Sequence, residues 1–217
     1  MRFLTPLLAA FLLVSCSLQA KLVLSDEAAS VEASFALAPA TRAAWANLRE
    51  LDPTLPVDPF DPALLRRGLG SQAVVATTLV GTTLKFPVPQ PRKLLPDLKA
   101  DAGSWEVTLD RAALRRWASL TSWAGSPVLD SLLPAPKASV SEAEYRDLLV
   151  YLLGPGTPEA AARTLIDKSF FELTVVAPRA ILSAEGSVSV DGRNAVYRWP
   201  LVRVLALEKP LRLRLTF

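Results

Sequence analysis

Two absences narrow the chemistry open to this 217-residue chain more than any motif it carries: it has no histidine and a single cysteine. Without histidine, and with only one cysteine, the usual ligand sets for zinc, haem and iron–sulfur centres fall away. Serine–histidine and cysteine–histidine pairs lose their general base. One cysteine cannot form a disulfide within the monomer. Carboxylate chemistry remains, and Glu142 with Glu144, or Asp58 with Asp61, are residue types that a glycosidase uses as acid and base. Glu142 and Glu144 stand two apart on a predicted helix and so face different directions. Asp58 and Asp61 belong to a run of three Asp-Pro pairs, Asp52-Pro53, Asp58-Pro59 and Asp61-Pro62. An aspartate before proline caps a helix or shapes a turn, and this spacing lacks the alternating oxygens and turn glycine of a calcium loop. No glycine-rich phosphate loop or nucleophile elbow is present. The expectation is a protein with no catalytic residues, no metal and no cofactor.

The cysteine itself sits where it can be modified. Met1-Arg2-Phe3 leads into an apolar run ending at Val14, then Ser15-Cys16: a basic start, a short apolar core and a small residue before a cut site. As a helix that run spans about 18 Å, too short for a hydrocarbon core of about 30 Å. Leu13-Val14-Ser15-Cys16 resembles the lipobox of bacterial lipoproteins. The resemblance implies cleavage before Cys16, diacylglycerol on its thiol and often acylation (palmitate or similar) of the new amino group. Two or three acyl chains on one residue anchor far more firmly than the single chain that binds only marginally. The expected division is a signal peptide over 1–15 and a single lipid-anchored domain over 16–217. Ser17, rather than aspartate, after the cysteine favours the outer membrane by analogy with lipoprotein sorting. No later segment offers eighteen consecutive apolar residues, so the lipid is expected to be the sole anchor, on a bacterial membrane facing the periplasm or the exterior.

Composition agrees with a folded domain. Hydrophobic residues make up 51% and charged residues 21%, which argues against disorder. The net charge is only +3, and Arg2 would leave with the leader. There is no basic stripe interleaved with aromatics, so nucleic acid is not an expected partner.

The elements that position these residues read as follows. Lys21–Leu24 and the alternating Val31–Leu37 predict an N-terminal hairpin. A helix is expected from about Thr41, carrying Trp45, Leu48 and Leu51, and a short one at Ala63–Arg67. Ala73–Phe86 predicts one long strand, or two with a bend at Gly81. Pro87–Asp97 reads as loop, Trp105–Leu109 as strand, and Asp110 as the cap of a helix bearing Ala113, Trp117 and Leu120. Ser122–Pro136 is irregular. Ser141 and Glu144 have capping-box spacing and open a helix through Leu153, and Thr157-Pro158-Glu159 begins another that ends near Lys168. The tail predicts strands at Phe170–Val176, Ile181–Val190, Ala195–Val204 and Leu211–Phe217, with turns at Pro178, Asp191-Gly192 and Lys209-Pro210. Together these describe an α+β fold: an antiparallel β-sheet made of the N-terminal hairpin and C-terminal strands, with helices packed on one face.

The run Glu172-Leu173-Thr174-Val175-Val176-Ala177-Pro178, with Gly186, Asp191-Gly192 and Val196-Tyr197-Arg198-Trp199, resembles the end of LppM-type bacterial lipoproteins. The resemblance covers about the first forty and last fifty residues by strand-and-turn chemistry. It departs in lacking a C-terminal membrane helix and in placing Pro200 after Trp199. It implies a β-rich, surface-anchored domain suited to holding lipid or glycolipid, and brings no catalytic residues.

Mean hydropathy is +0.29, high for a soluble domain, which points to a lipid or other apolar ligand. Trp105, Trp117, Trp123 and Trp199 are the candidate lining residues, though for any one of them an ordinary core role is the favoured reading. The alternative is a structural or assembly role, docking onto an envelope protein through an exposed strand or apolar patch. For that role Leu211-Arg212-Leu213-Arg214-Leu215 is a candidate edge strand with a cationic face, though charge is also how edges avoid aggregation.

Overall fold

The computed structural model describes residues 18–24, 29–35, 46, 49, 50, 53–55, 57, 74–77, 82–88, 99–101, 103–119, 134, 135, 139–153 and 157–217. The two expected helices near Thr41 and Ala63 lie largely or wholly outside these residues, as do the aspartates Asp52, Asp58 and Asp61 and all but Pro134 and Ala135 of the irregular 122–136 stretch.

The N-terminal hairpin is present as β1 (Leu18–Leu24) and β2 (Ala29–Phe35), antiparallel, with Lys21 opposite Glu32. The Val/Thr-rich segment resolves its two readings in favour of a second hairpin, β3 (Val74–Thr77) and β4 (Thr82–Val88). In β4 the ladder continues past Pro87, where a loop was expected. Beyond lie β5 (Lys99–Asp101), unforeseen, and β6 (Ser104–Leu109).

Three helices follow among the described residues. Helix α1 (Arg111–Ser119) is capped by Asp110, whose Oδ1 accepts the Ala113 amide at 2.7 Å. Helix α2 (Glu142–Leu153) opens on the expected capping box: Ser141 Oγ accepts from the Glu144 amide at 3.2 Å, and the Glu144 carboxylate accepts from the Ser141 amide at 2.8 Å. Helix α3 (Glu159–Asp167) starts after Pro158, whose carbonyl accepts from Ala162 at 3.0 Å.

The tail is more broken than its composition suggests. Strand β7 (Phe170–Val176) is as expected, but Ile181–Val190 divides into β8 (Ser183–Glu185) and β9 (Ser189–Asp191) around Gly186 at φ +79°. Strand β10 (Asn194–Pro200) is joined to β9 by a two-residue turn with Gly192 at φ +55°, the place where a type II′ turn puts its glycine. The strand expected to reach Val204 instead ends at Pro200, and Leu201–Ala206 is a helix, α4. Proline has no amide to donate to a ladder, and all of α4 but Arg203 is buried. Its apolar run therefore marks a helix enclosed by the core rather than a strand. Last comes β11 (Leu211–Thr216).

The strands form two sheets rather than one. The larger has the order β3-β4-β2-β1-β7-β10-β9, and the smaller β5-β6-β11-β8. Among the described residues every pairing is antiparallel but one: β1 runs parallel to β7, with Leu18 opposite Phe171 and Val23 opposite Val176. This pairing ties the start of the chain to its tail. Strand β11 has neighbours on both sides, β6 and β8, so it is interior and not the edge its charges suggested. Its alternation holds nonetheless, with Arg212 and Arg214 exposed and Leu211 and Leu215 buried.

Register gives the large sheet two chemically distinct sides. Val75, Leu84, Ala33, Ala20, Leu173 and Tyr197 align in one row across six strands. The next row reads Lys85, Glu32, Lys21 and Thr174. On the β7–β10 half the apolar side is sealed, with Val175, Ala195 and Tyr197 buried beside α4.

Candidate functional site

The densest chemistry lies where β7 and β10 pair. Trp199 is opposite Phe171 in register, and their rings stack with centroids 5.8 Å apart and planes 23° apart. Tyr197, two residues along β10 and so on the same side, stacks on Trp199 at 5.6 Å and 16°. Such pairs add about 1 kcal/mol each beyond burial. The Tyr197 hydroxyl donates to the Arg214 carbonyl at 3.4 Å, tying the large sheet to β11 of the small one. Burial, helped by the nearby Glu185 charge, pushes the Tyr197 phenol up to about 12.

Of the four tryptophans singled out by sequence, Trp199 is the one the structure places in this stack; it is buried. Trp105 lies on β6 of the other sheet, half-buried against the core and opposite Leu215. Trp117 is carried by α1, with its side chain outside the described part of the structure, and Trp123 and Cys16 lie outside the described residues. The sequence reading missed Phe171 and Tyr197. The alternation Ala195-x-Tyr197-x-Trp199 was the signal that could have found Tyr197, whereas Phe171 needs the β7–β10 register.

On the opposite side of the same strands, the Arg198 guanidinium lies over the Phe170 ring, 3.6 Å from its centroid. Beside it, Gln19 Nε2 donates to the Glu172 carboxylate at 3.4 Å. Apolar residues are bared on the 178–193 segment beside β10: Leu182, Val188 and Val190 are 78%, 62% and 46% exposed.

The carboxylate pair on α2 is committed to structure. Glu144 accepts from both the amide and hydroxyl of Ser141 at 2.8 Å, and these bonds hold its carboxyl below the usual carboxylate range. A general acid needs the opposite shift. The Glu142 amide donates to Glu208 at 3.0 Å, and its carboxylate lies 4.0 Å from Arg203. Among the described residues no cluster of three or more acidic or cysteine side chains could hold a metal ion, and no helix is long and apolar enough to cross a membrane.

No protein-family model matches the chain, and no curated protein matches it. Among solved structures, the folded domain of LppM from Mycobacterium tuberculosis, determined by NMR, is similar at 12% sequence identity and a TM-score of 0.41. The match covers 93% of this chain and 88% of that one. The α+β class is evident from this chain's own strands and helices.

Proposed function

We propose that this chain is an envelope lipoprotein, cleaved after Ser15 and lipidated on Cys16, whose single domain over 16–217 acts without catalysis as a binding module for lipid or another apolar ligand. The observation that carries the anchoring is Leu13-Val14-Ser15-Cys16, set at the end of a short apolar leader and holding the chain's one cysteine. The binding reading is supported by the apolar row that crosses six strands of the large sheet and by the aromatic stack of Phe171, Trp199 and Tyr197 on one of its sides. Ser17 favours the outer membrane as the destination. A second reading, docking onto an envelope protein, is supported by the exposed Leu182, Val188 and Val190.

Two measurements test the proposal. Metabolic labelling with an alkynyl palmitate in a bacterial host should mark the wild-type chain and not Cys16→Ser; a labelled Cys16→Ser protein sinks the lipidation. Native mass spectrometry of residues 17–217, purified without detergent, should show a discrete added mass that extracts as lipid. A bare mass, with residues 178–193 cross-linking to an envelope protein, would favour docking.

A further inference from the structure

Resting on lipidation at Cys16, we infer that the large sheet meets the membrane by one end, the end carrying Phe170, Trp199 and Pro200, with Arg198 as its contact to headgroup phosphate. One residue, Ser17, separates Cys16 from Leu18, the first residue of β1. Two peptide steps reach at most about 7 Å. Each headgroup layer of a bilayer is itself about 6 Å thick, so a Cys16 held at the acyl boundary cannot let the sheet stand clear of it.

The parallel register then selects the end. Leu18 lies opposite Phe171, which faces Trp199, and one row nearer the anchor is Phe170 opposite Pro200. Strand β1 climbs away from that point for six further residues, about 20 Å. It ends at the level where Val176 meets Asn194 and the 178–193 segment begins. Ile181 donates its amide to the Gly192 carbonyl at 2.9 Å, so the exposed Leu182 beside it lies at that far end, away from the bilayer that holds the lipid. Val188, bonded to the Val196 carbonyl, instead sits midway along the sheet.

The chemistry of the near end fits an anionic headgroup layer. Phe170 and Pro200 are apolar and at least partly exposed, and exposed Lys168 precedes them at the end of α3. Arg198 stacks on Phe170 by the face of its guanidinium, which leaves its in-plane N–H donors for a phosphate. Glu172, the acid opposite Arg198 in register, accepts from Gln19 at 3.4 Å, and Asp167 is paired with Arg146 at 2.9 Å. The occupant is thus the chain's own anchoring membrane.

The test uses the full, lipidated chain in phosphatidylglycerol/phosphatidylcholine vesicles doped with a nickel-chelating lipid. Acylation blocks the Cys16 thiol, so Lys168→Cys and Leu182→Cys each take a single nitroxide. The Lys168 label should lose most of its spectral amplitude to headgroup nickel and the Leu182 label none, and Arg198→Gln should restore part of the Lys168 signal. Equal loss at both sites, no loss at either, or loss at Leu182 alone overturns the orientation. An unchanged Lys168 signal in Arg198→Gln overturns the phosphate contact. A chain that fails to float with the vesicles and shows a maleimide-reactive Cys16 overturns the anchoring reading and this inference together.

Discussion

The Arg111 Nε donates to the carbonyl of Ala206 across 2.8 Å and 95 residues of chain, and a second nitrogen of the same side chain donates to the Val140 carbonyl. A buried arginine at the first turn of α1 therefore fastens the end of α4 and the approach to α2. Arg111→Ala would leave the Ala206 carbonyl, in a fully buried residue, without that donor. Hydrogen bonds to charged groups are worth about 1.5–3 kcal/mol each, and the stranded acceptors add desolvation. Chemical denaturation should show a loss of about 3 kcal/mol. Arg111→Lys should recover only part, since an ammonium lacks the planar fork that reaches two carbonyls at once. A loss below about 1 kcal/mol would remove the clamp from the account of the core.

How far the fold can be read from sequence depends on whether the governing interaction is local. The capping box at Ser141 and Glu144, the cap at Asp110 and the turn at Asp191-Gly192 are contacts between near neighbours in the chain, and each stands where its residues predict. Leu201–Ala206 defeats the same reasoning, because a short apolar run has no period to separate a strand from an enclosed helix. Assignment of strands to two sheets is likewise non-local: β11 and β10 look alike in alternation, yet one pairs with β6 and the other with β7. The site follows this pattern. Trp199 is conspicuous by type, but its partner Phe171 emerges only from the register.

The capping box predicts an acid-sensitive helix start. Ser141→Ala should destabilise the protein by about 1 kcal/mol. Glu144 has a folded pKa below its ordinary value because the Ser141 amide and hydroxyl bind the charged form. Its contribution is therefore complete above the ordinary value near 4.5 and is lost as pH falls through the depressed one. Glu144→Gln should flatten the acid flank of the stability–pH profile. An unchanged flank would mean that the carboxylate contributes nothing beyond a neutral acceptor.

Tyr197 carries the opposite sign. Its phenol is raised from 10.0 to about 12, so folding favours the protonated form. The stability it lends is whole below pH 10.0 and drains away as pH rises through about 12. Tyr197→Phe keeps the ring on Trp199 and removes the hydroxyl bond to Arg214, which at 3.4 Å is long. The expected cost at neutral pH is under about 1 kcal/mol, together with greater resistance to alkaline unfolding. A large neutral-pH loss would show that the link between the sheets matters more than its length suggests.

The aromatic stack should separate packing from ligand binding. Trp199→Ala removes a buried indole from between Phe171 and Tyr197 and should cost about 4 kcal/mol. Trp199→Phe keeps an aromatic surface, and its smaller volume should limit the loss to about 1.5 kcal/mol. If Trp199 also touches a bound apolar ligand, the lipid mass seen by native mass spectrometry should fall in Trp199→Phe while the melting transition drops by only about 3–6 °C, the shift that a loss of about 1.5 kcal/mol implies. Retention of that mass would leave Trp199 as core alone.

Leu207 sets a strained backbone against a buried side chain. It closes α4 in the left-handed region at φ 42° and ψ 47°, donating its amide to the Arg203 carbonyl at 3.0 Å. A residue with a Cβ gives up about 1–2 kcal/mol there, and glycine would not. The leucine side chain, however, is only 3% exposed, and emptying such a site costs about 2–5 kcal/mol. Burial outweighs strain, so Leu207→Gly should be net destabilising by about 2 kcal/mol in thermal or denaturant unfolding, less than a leucine deletion at unstrained Leu205 on the same helix. Gly192→Ala offers the reverse control. Its φ is +55° with open space around the position of a Cβ, so it isolates the strain alone, at about 1 kcal/mol. A stabilising Leu207→Gly would mean that the pocket collapses around the missing side chain and that strain, not packing, governs the end of α4.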